Sequence, residues 1–249
     1  MRYAVVIPVY NELHTFEALL DRVLAAQPAL LPGGALAERI IIAIDDGSTD
    51  GTAELIDARA DGERIIAMRH DRNQGKGAAL RTGFRRAVEI GVDAAIVQDA
   101  DLEYDPGEHP LILAPIFERG ADAVFGTRFL GQTHRVLYYW HAVGNRVITT
   151  LSNMFTNLNL TDVECCFKAF TTDVLARMDT RENRFGIEPE LVARCASMRI
   201  EDGDGGARPL RLYEAPVSYD GRTYAEGKKI GWRDGVRAIY CILRYNFFR

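Results

Sequence analysis

Through the first half of the chain, short apolar runs rich in β-branched residues alternate with segments whose apolar positions recur every three or four residues. The runs Tyr3–Pro8, Arg39–Ile44, Arg64–Met68, Asp93–Gln98 and Ala121–Phe125 read as strands, and the pattern predicts helices near Asn11–Ala26, Gly51–Arg59, Gly75–Ile90 and Pro110–Arg119. Strands that alternate with helices imply βα units, hence an α/β fold with a mostly parallel central sheet flanked by helices. The Pro- and Gly-rich stretch Pro28 to Ala37 reads as a loop. The second half is less regular. Val136, Trp140, Val143, Val147, Leu151, Met154 and Leu158 keep helical spacing and predict one or two amphipathic helices across Arg135–Asn159. A strand near Cys166–Phe170, a helix near Glu188–Ser197, a strand near Leu210–Tyr219 and a C-terminal helix from about Ile230 to Tyr245 complete the outline. With 249 residues and no internal repeat, one large domain is expected.

Composition adds little until charge is placed along the chain. A hydrophobic content of 47%, a charged content of 26% and a net charge of −5 are ordinary for a globular protein and give no reason to expect a nucleic-acid partner. The charge is uneven, however. No Asp or Glu occurs from Ala123 to Thr161, and Arg222 to Arg249 carries seven Lys or Arg against two acids. Local basic surface on an acidic chain predicts a specific anionic partner. Cys165, Cys166, Cys195 and Cys241 have neither zinc-ligand nor redox-motif spacing, which points to a reducing cytosol. The N-terminus reads directly into a strand, without a signal peptide's basic n-region and cleavage site, so no secretory signal is expected. No apolar run approaches the ~20 residues that a membrane span needs. Membrane contact is therefore expected to be peripheral or supplied by a partner.

Candidate chemistry concentrates after the predicted strands. Asp99-Ala100-Asp101 leaves a strand at its C-terminal end, where ligands bind in open α/β sheets. Spacing two carboxylates i and i+2 lets their oxygens flank one Mg²⁺ or Mn²⁺ that keeps positions open for phosphate, with Glu103 as a third ligand. The first strand runs into Pro8-Val9-Tyr10-Asn11-Glu12 and the second into Asp45-Asp46-Gly47-Ser48-Thr49-Asp50-Gly51-Thr52. Asp45 and Asp46 are able to accept hydrogen bonds from a nucleobase and ribose, although the same residues also suit turns and helix caps. The absence of Gly-x-Gly-x-x-Gly disfavours a dinucleotide site, and Gly75-Lys76-Gly77 lacks the rest of a P-loop. Arg72 through Ala79 nevertheless puts a cation and exposed amides at a helix N-terminus, either as an anion contact or as a glycine-rich helix entry with a solvated lysine. Glu188 and Glu190 read as an acid pair favoured by a helix dipole, with a catalytic carboxylate as the weaker alternative.

Together, Pro8 through Glu12, Asp45-Asp46-Gly47-Ser48, Arg72 through Gly77 and Asp99-Ala100-Asp101 resemble the ordered motifs of family 2 glycosyltransferases with the GT-A fold. The later segments are similar to the dolichyl- and polyprenyl-phosphate sugar synthase branch, notably dolichol-phosphate mannose synthases. The resemblance implies that Pro8, Tyr10, Asn11, Glu12, Asp45, Asp46, Lys76 and Asp99 hold a nucleotide sugar. It also implies a metal, Mg²⁺ or Mn²⁺, on Asp99 and Asp101, with Glu103 where mannose synthases often carry Gln. Gly126-Thr127-Arg128 is similar to the family's Gly-Ser/Thr-Arg segment, in which the arginine faces phosphate, a role that suits a bidentate guanidinium. Arg222 and Lys228 match an Arg-x5-Lys pattern expected at the acceptor phosphate, with Ala225 and Gly227 in place of its usual Gly and Ser. Asp162 matches an acidic position near the acceptor and joins Asp99, Asp101 and Arg128 in the expected catalytic set. An alcohol acceptor would need such a base, whereas a lipid phosphate is already an anion and would leave Asp162 to orient groups.

The activity so implied is inverting transfer of a hexose, mannose first, from GDP-mannose or a UDP-hexose to polyprenyl or dolichyl phosphate. The implied domain is 1–249, with a nucleotide-sugar-binding half (1–130) and an acceptor-binding half (131–249). A cytoplasmic protein, peripheral on the cytoplasmic face of a membrane directly or through an anchoring subunit, fits this chemistry. Arg135–Leu158 and the C-terminal helix, with Trp140, Phe155, Trp232, Tyr240, Tyr245, Phe247 and Phe248, are the stretches expected to touch lipid or else to pack on the sheet. The competing expectations are a family 2 transferase acting on a sugar hydroxyl or other small acceptor, and an inactive nucleotide-sugar-binding scaffold.

Overall fold

The computed structural model describes residues 1–136, 138–202, 205–223, 226 and 231–247, with Trp232 and Arg233 described by their backbone alone. The expectations for Lys228, Phe248 and the Trp232 side chain fall outside these. The elements in chain order are β1 (Arg2–Val9), α1 (Phe16–Ala25), β2 (Glu38–Asp45), α2 (Thr52–Arg59), β3 (Ile65–Arg69), α3 (Lys76–Glu89), β4 (Ala94–Val97), α4 (His109–Arg119) and β5 (Ala123–Thr127). There follow α5 (Tyr139–Thr156), β6 (Lys168–Thr171), α6 (Thr172–Ala176), α7 (Ile187–Ser197), β7 (Arg199–Glu201), β8 (Ala207–Pro209), β9 (Leu212–Pro216) and α8 (Trp232–Phe247).

Seven strands form one sheet in the order β3-β2-β1-β4-β6-β5-β9, and β7 pairs with β8 in a separate hairpin. Tyr3 to Ile7 are buried without break because helices cover both sheet faces, the usual reason for a continuous apolar strand in a parallel sheet. On one face, Phe16, Leu19, Leu20 and Val23 of α1 pack with Ile112, Leu113 and Phe117 of α4 against Val5 and Ile96. On the other, Ala79, Leu80 and Phe84 of α3 join Leu191, Val192 and Cys195 of α7 over Val6, Ile42 and Val97. Gly83 lets α3 approach closely, since a Cβ there would fall 2.4 Å from Val6 Cγ1.

β1 is flanked by β2 and β4, all parallel, so chain connections leave it in opposite directions and open a crevice at the strands' C-terminal ends. The expected parallel sheet has one departure. β6 runs antiparallel between β4 and β5, which brings the loop before it, rather than the loop after it, to that same edge. The first helix starts at Phe16, not Asn11. Asn11 takes a left-handed conformation (φ 52°), its N–H donates to Ser48 Oγ (2.9 Å) and its Oδ1 accepts from Thr49 N (2.9 Å), so side-chain bonding fixes a loop where periodicity suggests helix. The short β7, β8 and α6 carry too little period to be read from sequence.

α5 and α8 pack on each other through Ile148, Leu151 and Phe155 against Ala238 and Ile242, with the Phe155 and Phe247 rings 4.9 Å apart. Tyr245 belongs to the interior, its hydroxyl donating to Glu182 (2.8 Å), and not to an outer face. Tyr139, Trp140, Met154, Tyr240 and Phe247 remain exposed. Among the described residues, no helix is long and apolar enough to cross a membrane.

Candidate active site

The loops after β1 and β2 are stitched together before any ligand is considered. Besides the Asn11 bonds, Glu12 N donates to Thr52 Oγ1 (3.1 Å), and Leu13 N donates to Asp50 Oδ2 (3.2 Å). Asp45 caps the turn by accepting from Ser48 N (3.2 Å). Asp46 is almost wholly buried and accepts from His70 Nδ1 (2.7 Å), Gln74 N (2.9 Å) and Gly75 N (2.7 Å). Its carboxylate therefore pins the 70–75 segment instead of facing a nucleobase. Gly47 permits this approach: at φ 73°, a Cβ would lie 2.4 Å from the Arg72 carbonyl carbon.

The start of α3 is likewise engaged internally. Gly77 N donates to Asn183 O (2.8 Å), Ala78 N shares that carbonyl (3.3 Å), and a Cβ on Gly77 would come within 2.1 Å of Glu182 O. The expected anion-binding amides thus serve to seat the 182–183 backbone, and the glycines are there for close approach. Lys76 is what remains for the crevice.

That crevice is a cavity of about 160 Å³ lined by Pro8, Tyr10, Glu12, Lys76, Asp99, Asp101, Glu103, Arg128, Glu164, Glu188 and Arg222, among others. It unites residues from both halves of the chain. Lys76 Nζ reaches Asp99 Oδ1 (2.8 Å), Glu188 Oε1 (3.1 Å) and the Cys166 sulfur (3.2 Å). Burial alone would lower the Lys76 ammonium, but the charges of Asp99 and Glu188 outweigh it and hold the amine well above its ordinary range. Burial would raise Asp99, and Lys76 more than offsets it, so Asp99 is kept anionic. Asp101 behaves oppositely. Burial, with Asp99 and Glu103 beside it, pushes its carboxyl up to about 7 despite Arg222. Glu188, the one of the two candidate helix acids that reaches the cavity, also pairs with the buried Lys168; Glu190 instead accepts from Arg181 N, Glu182 N and Arg194 and holds a loop.

Arg222 lies on the acidic motif: Nη2 donates to Asp101 Oδ2 (2.9 Å), and Nε and N donate to Glu103 Oε1 (3.1 and 2.9 Å). Glu103 also accepts from the Tyr219 hydroxyl (3.0 Å). Glu103 and Asp101 thus share the Arg222 guanidinium, and no group of three or more His, Cys, Asp or Glu among the described residues is arranged to hold a metal ion. The remaining donor set still suits a hard divalent cation: two carboxylates at a strand exit, one of them disfavoured as an anion by its neighbours.

Arg128, at the end of β5, is fixed by Asp162. Nε and Nη2 donate to the two carboxylate oxygens (2.7 and 2.8 Å), the backbone N adds a third bond (3.2 Å), and Asn145 of α5 donates a fourth (2.9 Å). Arg128 also lies over the Tyr219 ring, 5.0 Å from its centroid, and among the described residues its Nη1 makes no hydrogen bond. Beyond it opens a second cavity of about 350 Å³ lined by residues that include Phe129, His134, Arg135, Tyr138 and Tyr139. Asp162 is fully buried with both oxygens committed, a geometry for positioning Arg128 that leaves no lone pair directed at an acceptor proton.

A mostly parallel α/β sheet that gathers carboxylates at its switch point and cations from its C-terminal half fits the GT-A fold, and the solved structures agree on that fold. Glucosyl-3-phosphoglycerate synthase from Mycobacterium tuberculosis, in complex with Mn²⁺, UDP and phosphoglyceric acid, superposes with a TM-score of 0.69 at 17% identity, covering 100% of this chain and 79% of that one. The chain belongs to Glycosyl transferase family 2, whose profile matches residues 4–178, and it is a glycosyltransferase. Similar proteins include the undecaprenyl-phosphate mannosyltransferase of Micrococcus luteus, 27% identical over 93% of this chain and 88% of that protein. The undecaprenyl-phosphate 4-deoxy-4-formamido-L-arabinose transferase of Serratia proteamaculans is 32% identical over 80% of this chain, which spans only 58% of that longer protein.

Proposed function

We propose that the protein transfers a hexose, mannose in first place, from a nucleotide sugar to a polyprenyl or dolichyl phosphate at a membrane surface. The observation that carries the reading is the commitment of Asp162. With both of its oxygens held by Arg128 and Asn145, it is not available as the base that a hydroxyl acceptor requires, whereas a phosphate monoester needs a cation and no base. The relatives support this acceptor, since their names share undecaprenyl phosphate while the sugars differ.

In this reading the first half of the chain (1–130) takes the donor and the second (131–249) the acceptor. Pro8, Tyr10 and Glu12 border the nucleotide; Asn11, Asp45 and Asp46 act by shaping the loops. Asp99 and Asp101, with Glu103 as a third ligand, would hold Mg²⁺ or Mn²⁺, and the bound cation would offset charge on the donor diphosphate. Lys76 keeps Asp99 ionised and adds a positive charge beside the leaving nucleotide. Arg128, oriented by Asp162, offers its unbonded Nη1 to the acceptor phosphate and draws two anions together despite their repulsion. Arg222 moves from Asp101 and Glu103 toward the acceptor phosphate as the substrates enter. The aromatic and cationic cavity beyond Arg128 receives the first isoprene units, and the exposed aromatic residues of α5 and α8 rest in the headgroup layer.

A panel of GDP-mannose, UDP-glucose and UDP-galactose, assayed with undecaprenyl phosphate in the presence of Mg²⁺ or Mn²⁺, tests the whole reading. Transfer to the lipid phosphate from at least one donor is expected. Transfer to soluble sugar hydroxyls with none to lipid phosphate would refute it.

A further inference from the structure

The segment 162–168 between α5 and β6 is fixed from several sides. Arg128 and Asn145 clamp Asp162, Val163 N donates to Thr149 Oγ1 (3.3 Å), Cys166 N donates to the Tyr104 hydroxyl (3.4 Å), and Lys168 Nζ donates to the carbonyls of Val163 and Cys165. Glu164, in the middle of this stitched loop, is the exception. Its Oε1 is buried without a partner, and no described residue hydrogen-bonds to its carboxyl. Its side chain lines the 160 Å³ cavity together with Asp99, Asp101, Arg128 and Phe185.

A buried carboxyl with no partner costs stability, and the surrounding loop is too well fixed for this to be slack in the packing. The cost is explained if the partner is a ligand. Under the reading above, on which this inference rests, the donor diphosphate lies at the Asp99–Asp101 end of the cavity and the acceptor phosphate at the Arg128 end. The group between them is the sugar in transit. We propose that Glu164 hydrogen-bonds a hydroxyl of the transferred hexose and so selects which sugar the enzyme accepts. Burial and the Glu188 charge, opposed by Lys168 and Arg128, push the carboxyl up to about 7, so it is equipped both to accept from and to donate to a hydroxyl. Phe185 supplies an apolar face for the C–H side of the pyranose ring. A site built to hydrogen-bond a particular hydroxyl discriminates strongly against a sugar that lacks it, because the protein group is then left bare.

The test compares binding of nucleotide sugars with binding of the bare nucleoside diphosphate, which needs no acceptor. GDP, UDP, GDP-mannose, UDP-glucose, UDP-galactose and UDP-N-acetylglucosamine are titrated calorimetrically with Mn²⁺ into the wild type, Glu164→Ala and Glu164→Gln. The wild type is expected to bind one sugar donor about tenfold more tightly than its parent diphosphate. Glu164→Ala should erase that margin while diphosphate affinity stays unchanged, and Glu164→Gln should restore part of it. The thermal midpoint of Glu164→Ala should hold or rise, the reverse of what a structural carboxylate would give. Retention of the margin by Glu164→Ala, an equal loss of diphosphate affinity, or no margin in the wild type with any donor would overturn the proposal. A margin that depends on Glu164 without any transfer to lipid phosphate would support it and sink only the acceptor assignment.

Discussion

Asp162→Ala separates a positioning carboxylate from a proton acceptor. The wild-type side chain is fully buried and takes bonds from Arg128 N, Nε and Nη2 and from Asn145 Nδ2, while the Arg128 side chain is 17% exposed. Removing one partner of a buried pair leaves the other charge uncompensated, at a cost of about 3–5 kcal/mol. At ~2–4 °C per kcal/mol for a chain of this size, the thermal midpoint should fall by roughly 6–20 °C. Arg128→Ala should cost a comparable amount by stranding Asp162. The double variant removes both charges and should be less destabilised than the sum of the two, with a coupling of about 2 kcal/mol. The pH dependence has a definite sign. Burial by itself would raise the Asp162 carboxyl, but Arg128 and the hydrogen bonds hold it below its ordinary 3.8, so the pair's contribution is complete above that pH and is lost as pH falls through the lower folded value. The penalty of Asp162→Ala should therefore be flat from about pH 6 to 8. Differential scanning calorimetry on the four proteins, with transfer rates across the same pH range, carries the test. Additive penalties, or an unchanged midpoint with loss of the acid limb of kcat, would make Asp162 a base and refute the reasoning.

Asp99→Ala and Asp101→Ala should abolish transfer with the far-UV spectrum intact, and EDTA should stop the wild type until Mg²⁺ or Mn²⁺ is restored; full activity in either variant would remove the metal assignment. Gly77→Ala should lower stability by about 1–3 kcal/mol, because its Cβ meets the Glu182 carbonyl. Gly144→Ala, in open space on α5, should raise stability by up to ~1 kcal/mol, and urea midpoints of equal sign would show the close approach to be unimportant. Because Glu164 is raised from 4.5 to about 7, the native state holds its proton longer than the unfolded chain, and stability should decline as pH rises through that window. Burial first, then Glu188 and Asp162, push it upward against Lys168 and Arg128, so Glu164→Gln should flatten the decline in pH-dependent denaturant melts. Tyr139→Ser with Trp140→Ser should weaken sedimentation with anionic liposomes at low and high salt alike, and an undiminished pellet would place lipid contact elsewhere.

The order of strands and helices in the first half was legible because burial on both sheet faces makes strands continuous apolar runs, and the covering helices keep a clear apolar stripe. Asp99, Asp101 and Arg128 were found because short motifs at strand exits stay local. What stayed hidden was set by distance in sequence. Gly75 and Gly77 look like a phosphate cradle until the 182–183 backbone arrives against them, and Asp46 looks like a ligand contact until Gln74 and Gly75 bond to it. Glu164 and Glu188 carried no spacing signal, because their relation to the cavity depends on the antiparallel entry of β6 and on the 182–183 backbone, just before α7, meeting the start of α3. Arg222 was read as a phosphate ligand from its motif, while its resting partners, Asp101 and Glu103, lie more than a hundred residues earlier.

The sequence separations of the site's ion pairs impose an order on its assembly. Lys76 meets Asp99 across 23 residues, Arg128 meets Asp162 across 34, and Arg222 meets Asp101 across 121. As the chain leaves the ribosome N-terminus first, Asp99 is neutralised by a cation already present, whereas Asp101 waits for nearly half the protein to be made. Once the crevice is complete, burial together with Asp99 and Glu103 pushes the Asp101 carboxyl up to about 7, and Arg222, the last of these cations to be made, opposes that rise. The acidic motif is thus completed in two stages, by an early local lysine for one aspartate and by a distant, late arginine for the other.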